Sequence, residues 1–393
     1  MITLARRAFA RIVFLLPPLR RLREHNLRLQ RKVERQHQTL AGREASRERD
    51  RLGRDAIRTR LAQCKATLAV RTLDVHRLRM LTTEPGAVLQ RAFSHRANTV
   101  LTSQLAPDLQ VREQNWRAAC PAYAIEADSV HAGRRPPGAR TIEIGGLTWW
   151  LPNDAASRGS LSSRIVDKRW LPLDDLARVR RLIVGGGMLD IGANIGTTAI
   201  PRALLRDFSV IHAAEPDPNN YACLVANVLA NKLDGAVLPD RVALSSSTGM
   251  VRLRLSTQIG THHLLPAEGK THLRSIDVQA YTVDDWIGRL GVLPADLSFV
   301  KVDAQGWDAH VMLGARSLLA ARHLVWQVEF SPVMMDRSGV TAREFNSLAS
   351  ASFTHFRMMA GDERERPISD VAEVGAALAP DGSYANLLLY SQP

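Results

Sequence analysis

The stretch "LDIGANIG" sets Asp190, Gly192, Asn194 and Gly196 at fixed spacing, with Ala193 among them, between an apolar run and "TTAIPRALLRD". That pattern reads as a turn joining a buried strand to a helix. In a doubly wound sheet, such a turn at the carboxyl end of a strand is where nucleotide-containing ligands bind. A dinucleotide site would use G-x-G-x-x-G, whose glycines let a pyrophosphate approach a helix N-terminus. Here the frame is D-x-G-x-N-x-G, and a carboxylate in its mouth would repel a pyrophosphate. It suits a ligand with a cationic amino-acid end and no phosphate, and S-adenosylmethionine, with its ammonium and sulfonium, is such a ligand. Glu215, at the end of "VIHAAEP", follows Gly196 by 19 residues, close to the roughly 20 at which an acid takes ribose hydroxyls. The expected cofactor residues are therefore Asp190, Gly192, Ala193, Asn194, Gly196 and Glu215. No His, Asp, Glu or Cys set has metal-ligand spacing, so no metal site is expected.

Six segments, "MLDIGANIGTTAI", "AAEPDPNNYACLVANVLANKL", "RVALSSSTGMVRLRLS", "QAYTVDDWIGRLGV", "LSFVKVDAQGWDAHVMLGARSLL" and "VWQVEFSP", follow in order and spacing the FkbM-like family of S-adenosylmethionine-dependent methyltransferases. The chain resembles that family over about residues 141–393, most strongly over 185–332. The resemblance implies an α/β class I methyltransferase fold, a Rossmann-like, mainly parallel seven-stranded sheet with its last strand antiparallel. It also implies methylation of a hydroxyl, commonly on a sugar or a natural product, here as part of a glycan or polysaccharide precursor. Family members carry K-I-D-x-E-G where this chain has Lys301, Val302, Asp303, Ala304, Gln305 and Gly306. The change to Gln305 removes a charge and puts any acid–base or ligand role of that position in doubt.

Methyl transfer from a sulfonium is an in-line displacement of an activated leaving group, so the protein must align an oxygen with the methyl and exclude water. A sugar hydroxyl must lose its proton as it attacks, which calls for a base within hydrogen-bond reach. "LSFVKVD" should lie beside the Asp190 strand, placing Asp303 next to the methyl as base or acceptor-orienting group. Its plain structural role would be the N-cap of "GWDAHVMLGA". Lys301, two residues back on the same strand face, would tune Asp303 or anchor the substrate. His262 and His263, in the loop "QIGTHHLLP", are alternative bases because imidazole titrates near neutrality; otherwise they are solvent-facing loop residues. Glu329, ending "VWQVEF", faces the pocket or pairs with an arginine, and His310 points away from it. Trp149, Trp150, Trp170 and Trp307 offer faces for sugar rings, although tryptophans more often fill a core.

These residues require strands and helices in alternation. "TIEIGGLTWWLP" reads as a strand pair, and "DDLARVRRLIV", "TTAIPRALLRD", "NNYACLVANVLANKL" and "WDAHVMLGARSLLA" as helices. "GMLDIG", "SVIHAAEP", "LSFVKVD" and "HLVWQVEF" are buried strands, "AVLPDRVALSS" a strand region, "MVRLRLS" and "SIDVQAYTV" period-2 strands, and "YANLLLYSQ" the last strand. Thr282 and Asp285 stand at capping-box spacing. Continuous apolar strands separated by helices mean βαβ units and a parallel sheet.

The net charge of +13 is uneven: residues 1–82 hold 21 Lys and Arg against 7 Asp and Glu, and the remainder 31 against 32. The basicity belongs to one segment and not to the site. Between Pro18 and Pro85 there is no proline and only Gly42 and Gly53, so residues 21–82 read as a long basic helix. A heptad stripe runs from Leu22 through Leu29, Val33 and Leu40, breaks over Arg43, Arg47, Asp50 and Arg54, and resumes at Ile57, Leu61, Cys64 and Leu68. It predicts an interrupted coiled coil for self-association or a protein partner, the alternative being a solvated basic arm. Residues 1–20 are too short in apolar length to span a bilayer and suit a peripheral helix on the inner membrane face or a plain terminus. Residues 83–140 read as a linker region with a weak helix, and the methyltransferase domain as 141–393. Cys64, Cys120 and Cys223 form no disulfide framework, which fits a reducing cytoplasm. The competing function is an inactive methyltransferase-like scaffold working through the coiled coil. Nucleic-acid binding ranks last, because the basic segment has no aromatic after Phe14 to stack on bases.

Overall fold

The computed structural model describes residues 107–152 except 145, residue 165, residues 173–255 except 184, 263–265 and 275–392. The expected coiled coil over 21–82, the segment 1–20 with its membrane contact, Trp170 and His262 lie outside the described residues. No helix among the described residues is long and apolar enough to cross a membrane.

Strands β1 (Arg140–Ile144) and β2 (Leu147–Leu151) form the expected hairpin. After α3 (Leu173–Arg180) come β3 (Gly187–Ile191), α4 (Ala199–Leu205), β4 (Val210–Ala214), α5 (Pro218–Ala230) and β5 (Val237–Asp240). All five residues of β3 are buried, as a parallel strand covered on both faces requires. The second half holds β10 (Leu297–Val302) and β11 (Val325–Phe330), parallel to one another, with β10 parallel to β3. The last strand, β14 (Ala385–Tyr390), runs antiparallel to β11 and is inserted between it and β12 (His355–Met358). A two-residue strand, β13 (Arg366–Pro367), makes the sheet eight strands wide, in the order β13-β12-β14-β11-β10-β3-β4-β5. The strand order reverses between β3 and β10, so ligands are expected beyond the carboxyl ends of this pair.

A second sheet of β6 (Ala243–Leu244), β7 (Gly249–Arg254), β8 (His263–Leu265) and β9 (Ser275–Tyr281) contains the two period-2 strands. Helix α6 (Val283–Leu290) follows, and its cap departs from a full capping box. Thr282 Oγ1 accepts from the Asp285 N–H at 3.0 Å, but the Thr282 N–H donates to Thr248 Oγ1, which in turn donates to Asp285. The single helix expected after Asp303 is two helices, α7 (Asp308–Leu313) and α8 (Arg316–Ala320). Gly314 lies between them, where a Cβ would collide with the Ser245 carbonyl, so the backbones meet at the break. Helices α9 (Pro332–Ser338), α10 (Ala342–Ser352) and α11 (Val371–Leu378) fill the stretch between β11 and β14, for which the sequence reading has no element.

The compact unit reaches back before the expected boundary at 141. Residues 107–131, within the expected linker region, form helices α1 (Pro107–Ala119) and α2 (Pro121–His131). Trp116, Cys120, Tyr123 and Ala127 bury themselves with Tyr221, Val225 and Leu238. Polar ties reinforce this packing: Trp116 Nε1 donates to the Pro239 carbonyl at 3.0 Å, and Arg112 donates to the carbonyls of Ser209 and Gly235.

The hairpin is fastened to α5 by two asparagines four residues apart, hence on one helix face. Asn227 Oδ1 accepts from the Trp150 N–H and its Nδ2 donates to the Trp150 carbonyl, while Asn231 makes the same pair of bonds with Thr148. The outward backbone groups of β2, costly to bury unpaired, are met by side-chain amides. Asn227 Nδ2 also donates to the Ile195 carbonyl at 2.9 Å and so ties the hairpin to the Asp190 turn.

Candidate active site

The site lies where β3 and β10 end side by side. Parallel register sets Lys301 opposite Asp190. The Lys301 ammonium is 3.1 Å from Asp190 Oδ1, 3.5 Å from Asp303 Oδ2 and within 3.4 Å of the Gly192 carbonyl, to which it donates. Asp190 is wholly buried, Lys301 nearly so, and the Asp303 side chain is 38% exposed. Burial pulls the Lys301 pKa down, but the charges of Asp190 and Asp303 together outweigh it and leave the ammonium above the usual lysine range. The buried charge of Asp190 is thus met by Lys301. Its Oδ2 has no hydrogen-bond partner among the described residues.

The turn after β3 bends through left-handed residues at Gly192 (φ 76), Asn194 (φ 54) and Gly196 (φ 92). Gly192 is obligatory on two counts, since L side chains avoid this φ and a Cβ there would overlap the Asp303 carbonyl. The two loops therefore touch backbone to backbone. Ala193 is buried, and its N–H donates to the Ala214 carbonyl at 3.0 Å. Asn194 Oδ1 accepts from the Ile195 N–H at 2.8 Å, which lowers the cost of the asparagine's φ.

Glu215 joins the same turn from β4. Its Oε2 accepts from the Asn194 N–H at 2.8 Å and its Oε1 from the Asp217 N–H at 2.9 Å. Burial raises its pKa to about 7; the neighbouring Asp217 charge adds to that and the N–H bonds oppose it. All six expected cofactor residues thus stand in one continuous loop cluster. The residues fit S-adenosylmethionine: a sealed carboxylate oxygen on Asp190 lacks a partner, and Glu215 keeps lone pairs for hydroxyl donors. No group of Asp, Glu, His and Cys that could hold a metal occurs among the described residues.

On the acceptor side, Asp303 does not cap the following helix. Trp307 is the N-cap and makes no side-chain cap bond, while Asp308 ties down the turn before the helix, accepting from the Ala304 N–H at 3.3 Å and the Gly306 N–H at 3.0 Å. Asp303 is left to the site. Glu329 pairs with no arginine among the described residues: its Oε2 accepts from Gln305 Nε2 at 3.1 Å, and the same nitrogen donates to Asp303 Oδ1 at 3.0 Å. Asp308 and the Gln305 bridge were missed in the sequence, because both depend on a turn with positive φ at Gln305 (φ 53) and Gly306 (φ 89).

His263 does not stand in a loop; it opens β8, paired with Arg254 of β7. His310 points away, as expected, stacked on Trp307 at 4.0 Å with its Nε2 donating to the Ser338 carbonyl. Trp149 and Trp307 are core residues, the latter donating to Ser245 Oγ, so neither offers a face to a sugar. Trp150 is half-buried, with the Arg135 guanidinium 5.8 Å from its ring.

Residues 190–361 match the methyltransferase FkbM domain. The 31-O-demethyl-FK506 methyltransferase FkbM of Streptomyces tacrolimicus is 32% identical over 114 residues, covering 28% of this chain and 43% of that protein. The chain thus spans less than half the length of that relative. Among solved structures, methyltransferase FkbM from Methylobacillus flagellatus KT is 16% identical with a TM-score of 0.34, over 52% of this chain and 44% of that one. M. jannaschii TYW2 in complex with AdoMet is 13% identical with a TM-score of 0.32, over 65% and 86% of the respective chains.

Proposed function

We propose that this chain, whose residues 190–361 match the methyltransferase FkbM domain, uses S-adenosylmethionine to methylate a sugar hydroxyl in a glycan or polysaccharide precursor. The observation that carries this reading is Asp303, half-open to solvent at the switch point and held beside the Lys301 charge. An attacking hydroxyl needs a base within reach, and a carboxylate so placed can serve as one. The Streptomyces relative supports the choice of oxygen, since its name places its methyl at a 31-O position.

S-adenosylmethionine supplies an electrophilic methyl on a sulfonium that departs as a neutral thioether. Gly192, Ala193, Asn194 and Gly196 shape the seat, Glu215 receives hydroxyl donors, and Asp190 holds Lys301 in place. Asp303 takes the proton of the attacking hydroxyl, and the Lys301 ammonium, 3.5 Å from Asp303 Oδ2, sets the charge around it. This assigns Lys301 to tuning the base rather than anchoring the substrate. His262 and His263 are set aside as bases in favour of Asp303.

Comparative mass spectrometry of polysaccharide from cells with and without the protein tests the proposal. The expected result is one sugar that loses the mass of a CH₂ group when the protein is absent. Unchanged glycans, with labelled methyl recovered on another class of acceptor, would overturn it. Self-association through residues 21–82 belongs to the same proposal, and sedimentation of the full chain against one lacking that segment checks it.

A further inference from the structure

Gln305 sits in a strained place to do one job. Its left-handed backbone (φ 53) is rare for an L residue, and it aims one amide nitrogen between two carboxylates, 3.0 Å from Asp303 Oδ1 and 3.1 Å from Glu329 Oε2. An amide NH₂ has two hydrogens, so both bonds are satisfied at once. The two acids are not equivalent. Asp303 has a cation 3.5 Å from its other oxygen and is partly open to solvent; Glu329 is buried and forms no ion pair among the described residues. Two like charges bridged by one nitrogen, with a cation on one side only, leave a single ionised member as the stable arrangement.

We infer that Gln305 is a positioning residue for methyl transfer: it locks Asp303 and Glu329 into a unit with one proton, carried by Glu329, so that Asp303 is the ionised proton acceptor. This rests on the hydroxyl-methylation reading above. The surroundings agree, for burial first, then the charges of Asp303 and Asp308, push Glu329 well above the usual carboxylate range against the pull of Lys301. In the transfer, the acceptor oxygen forms a bond to the methyl carbon as the carbon–sulfur bond breaks and its electron pair stays on sulfur. The hydroxyl proton goes to Asp303, so the sulfonium charge and the carboxylate charge vanish together. A glutamate at position 305 would bring a third carboxylate against the same two, with no N–H to donate.

The test uses the full chain saturated with S-adenosylmethionine and has two arms. Infrared titration should show a protonated-carboxyl component at neutral pH that E329Q removes and that moves to lower pH in D303N, where the like charge beside Glu329 is lost; a component that E329Q leaves intact, or one that D303N leaves at the same pH, overturns the proposal. The second arm measures labelled methyl transfer to polysaccharide from cells lacking the protein. Q305M, isosteric but without donors, should lower kcat by about 10- to 100-fold, as misplacement of a reacting group does, with little change in KM. Q305E should be as poor at pH about 8 and recover as its own carboxyl protonates at lower pH. Equal losses for both variants with no pH difference would reduce Gln305 to a structural role and overturn the proposal. Absence of transfer by the wild-type chain would instead count against the hydroxyl reading, and the infrared arm would still decide the placement of the proton.

Discussion

Glu215 serves two states with opposite needs. In the free protein, burial raises its pKa to about 7, whereas receiving ribose hydroxyls requires the carboxylate. Its folded pKa lies above the unfolded value, so its contribution to stability is full below the unfolded pKa and is lost as pH rises through about 7. Cofactor affinity should run the other way, rising by up to about tenfold per pH unit below that pKa and levelling off above it. Calorimetry across that range, with proton release read from buffers of different ionisation heat, checks the slope; E215Q should flatten it. Lys301 and Asp190 make a second residue-level case. Lys301→Met strands a buried carboxylate and should cost about 3–5 kcal/mol in urea unfolding. The double variant with Asp190→Asn should recover most of that stability while leaving transfer impaired.

Among elements, the parallel strands were the most legible part of the sequence, because unbroken apolar runs such as "GMLDI" and "LSFVKV" require cover on both faces. Placing Asp303 beside the Asp190 turn needed the family resemblance as well, because apolar runs do not fix which strands are neighbours. What escaped notice depended on backbones meeting from distant parts of the chain. Gly314 is tolerable in a helix by local propensity, and only the Ser245 carbonyl pressed against it makes it a break. Helix α10 is different, since Thr341 and Glu344 form a complete capping box that was there to be read. Asn227 looks like an ordinary helix residue in sequence, yet it joins the hairpin to the Asp190 turn. Asn227→Ala should cost about 1–3 kcal/mol for the unpaired backbone groups it leaves. It should also weaken cofactor binding through Ile195, and calorimetry beside thermal unfolding separates the two effects. Gly192→Ala should do more harm to binding than to secondary structure, since it drives two loops apart; circular dichroism with a binding titration checks this.

At the scale of the whole molecule, the packing unit includes α1 and α2, although their composition reads as a connector. The reason is physical: α1 is mostly polar, its Val111 is exposed, and Trp116 is the large apolar side chain it buries to dock. Trp116→Ala should therefore cost about 3–5 kcal/mol, as large-to-small changes in a core do. A chain beginning at residue 107 should retain the cooperative unfolding of the full chain, whereas one beginning at 140 should expose Tyr221, Val225 and Leu238 and aggregate. Light scattering during thermal unfolding distinguishes the two.

The asparagine pair on α5 has a consequence for the company the protein keeps. An exposed strand edge is a template on which another chain can add a strand, and proteins guard such edges with charge, bulges or cover. Asn227 and Asn231 occupy the outward N–H and carbonyl groups of Trp150 and Thr148 on β2. A helix thus does the work of a missing neighbour strand, and at these two residues the hairpin is closed to strand exchange between copies.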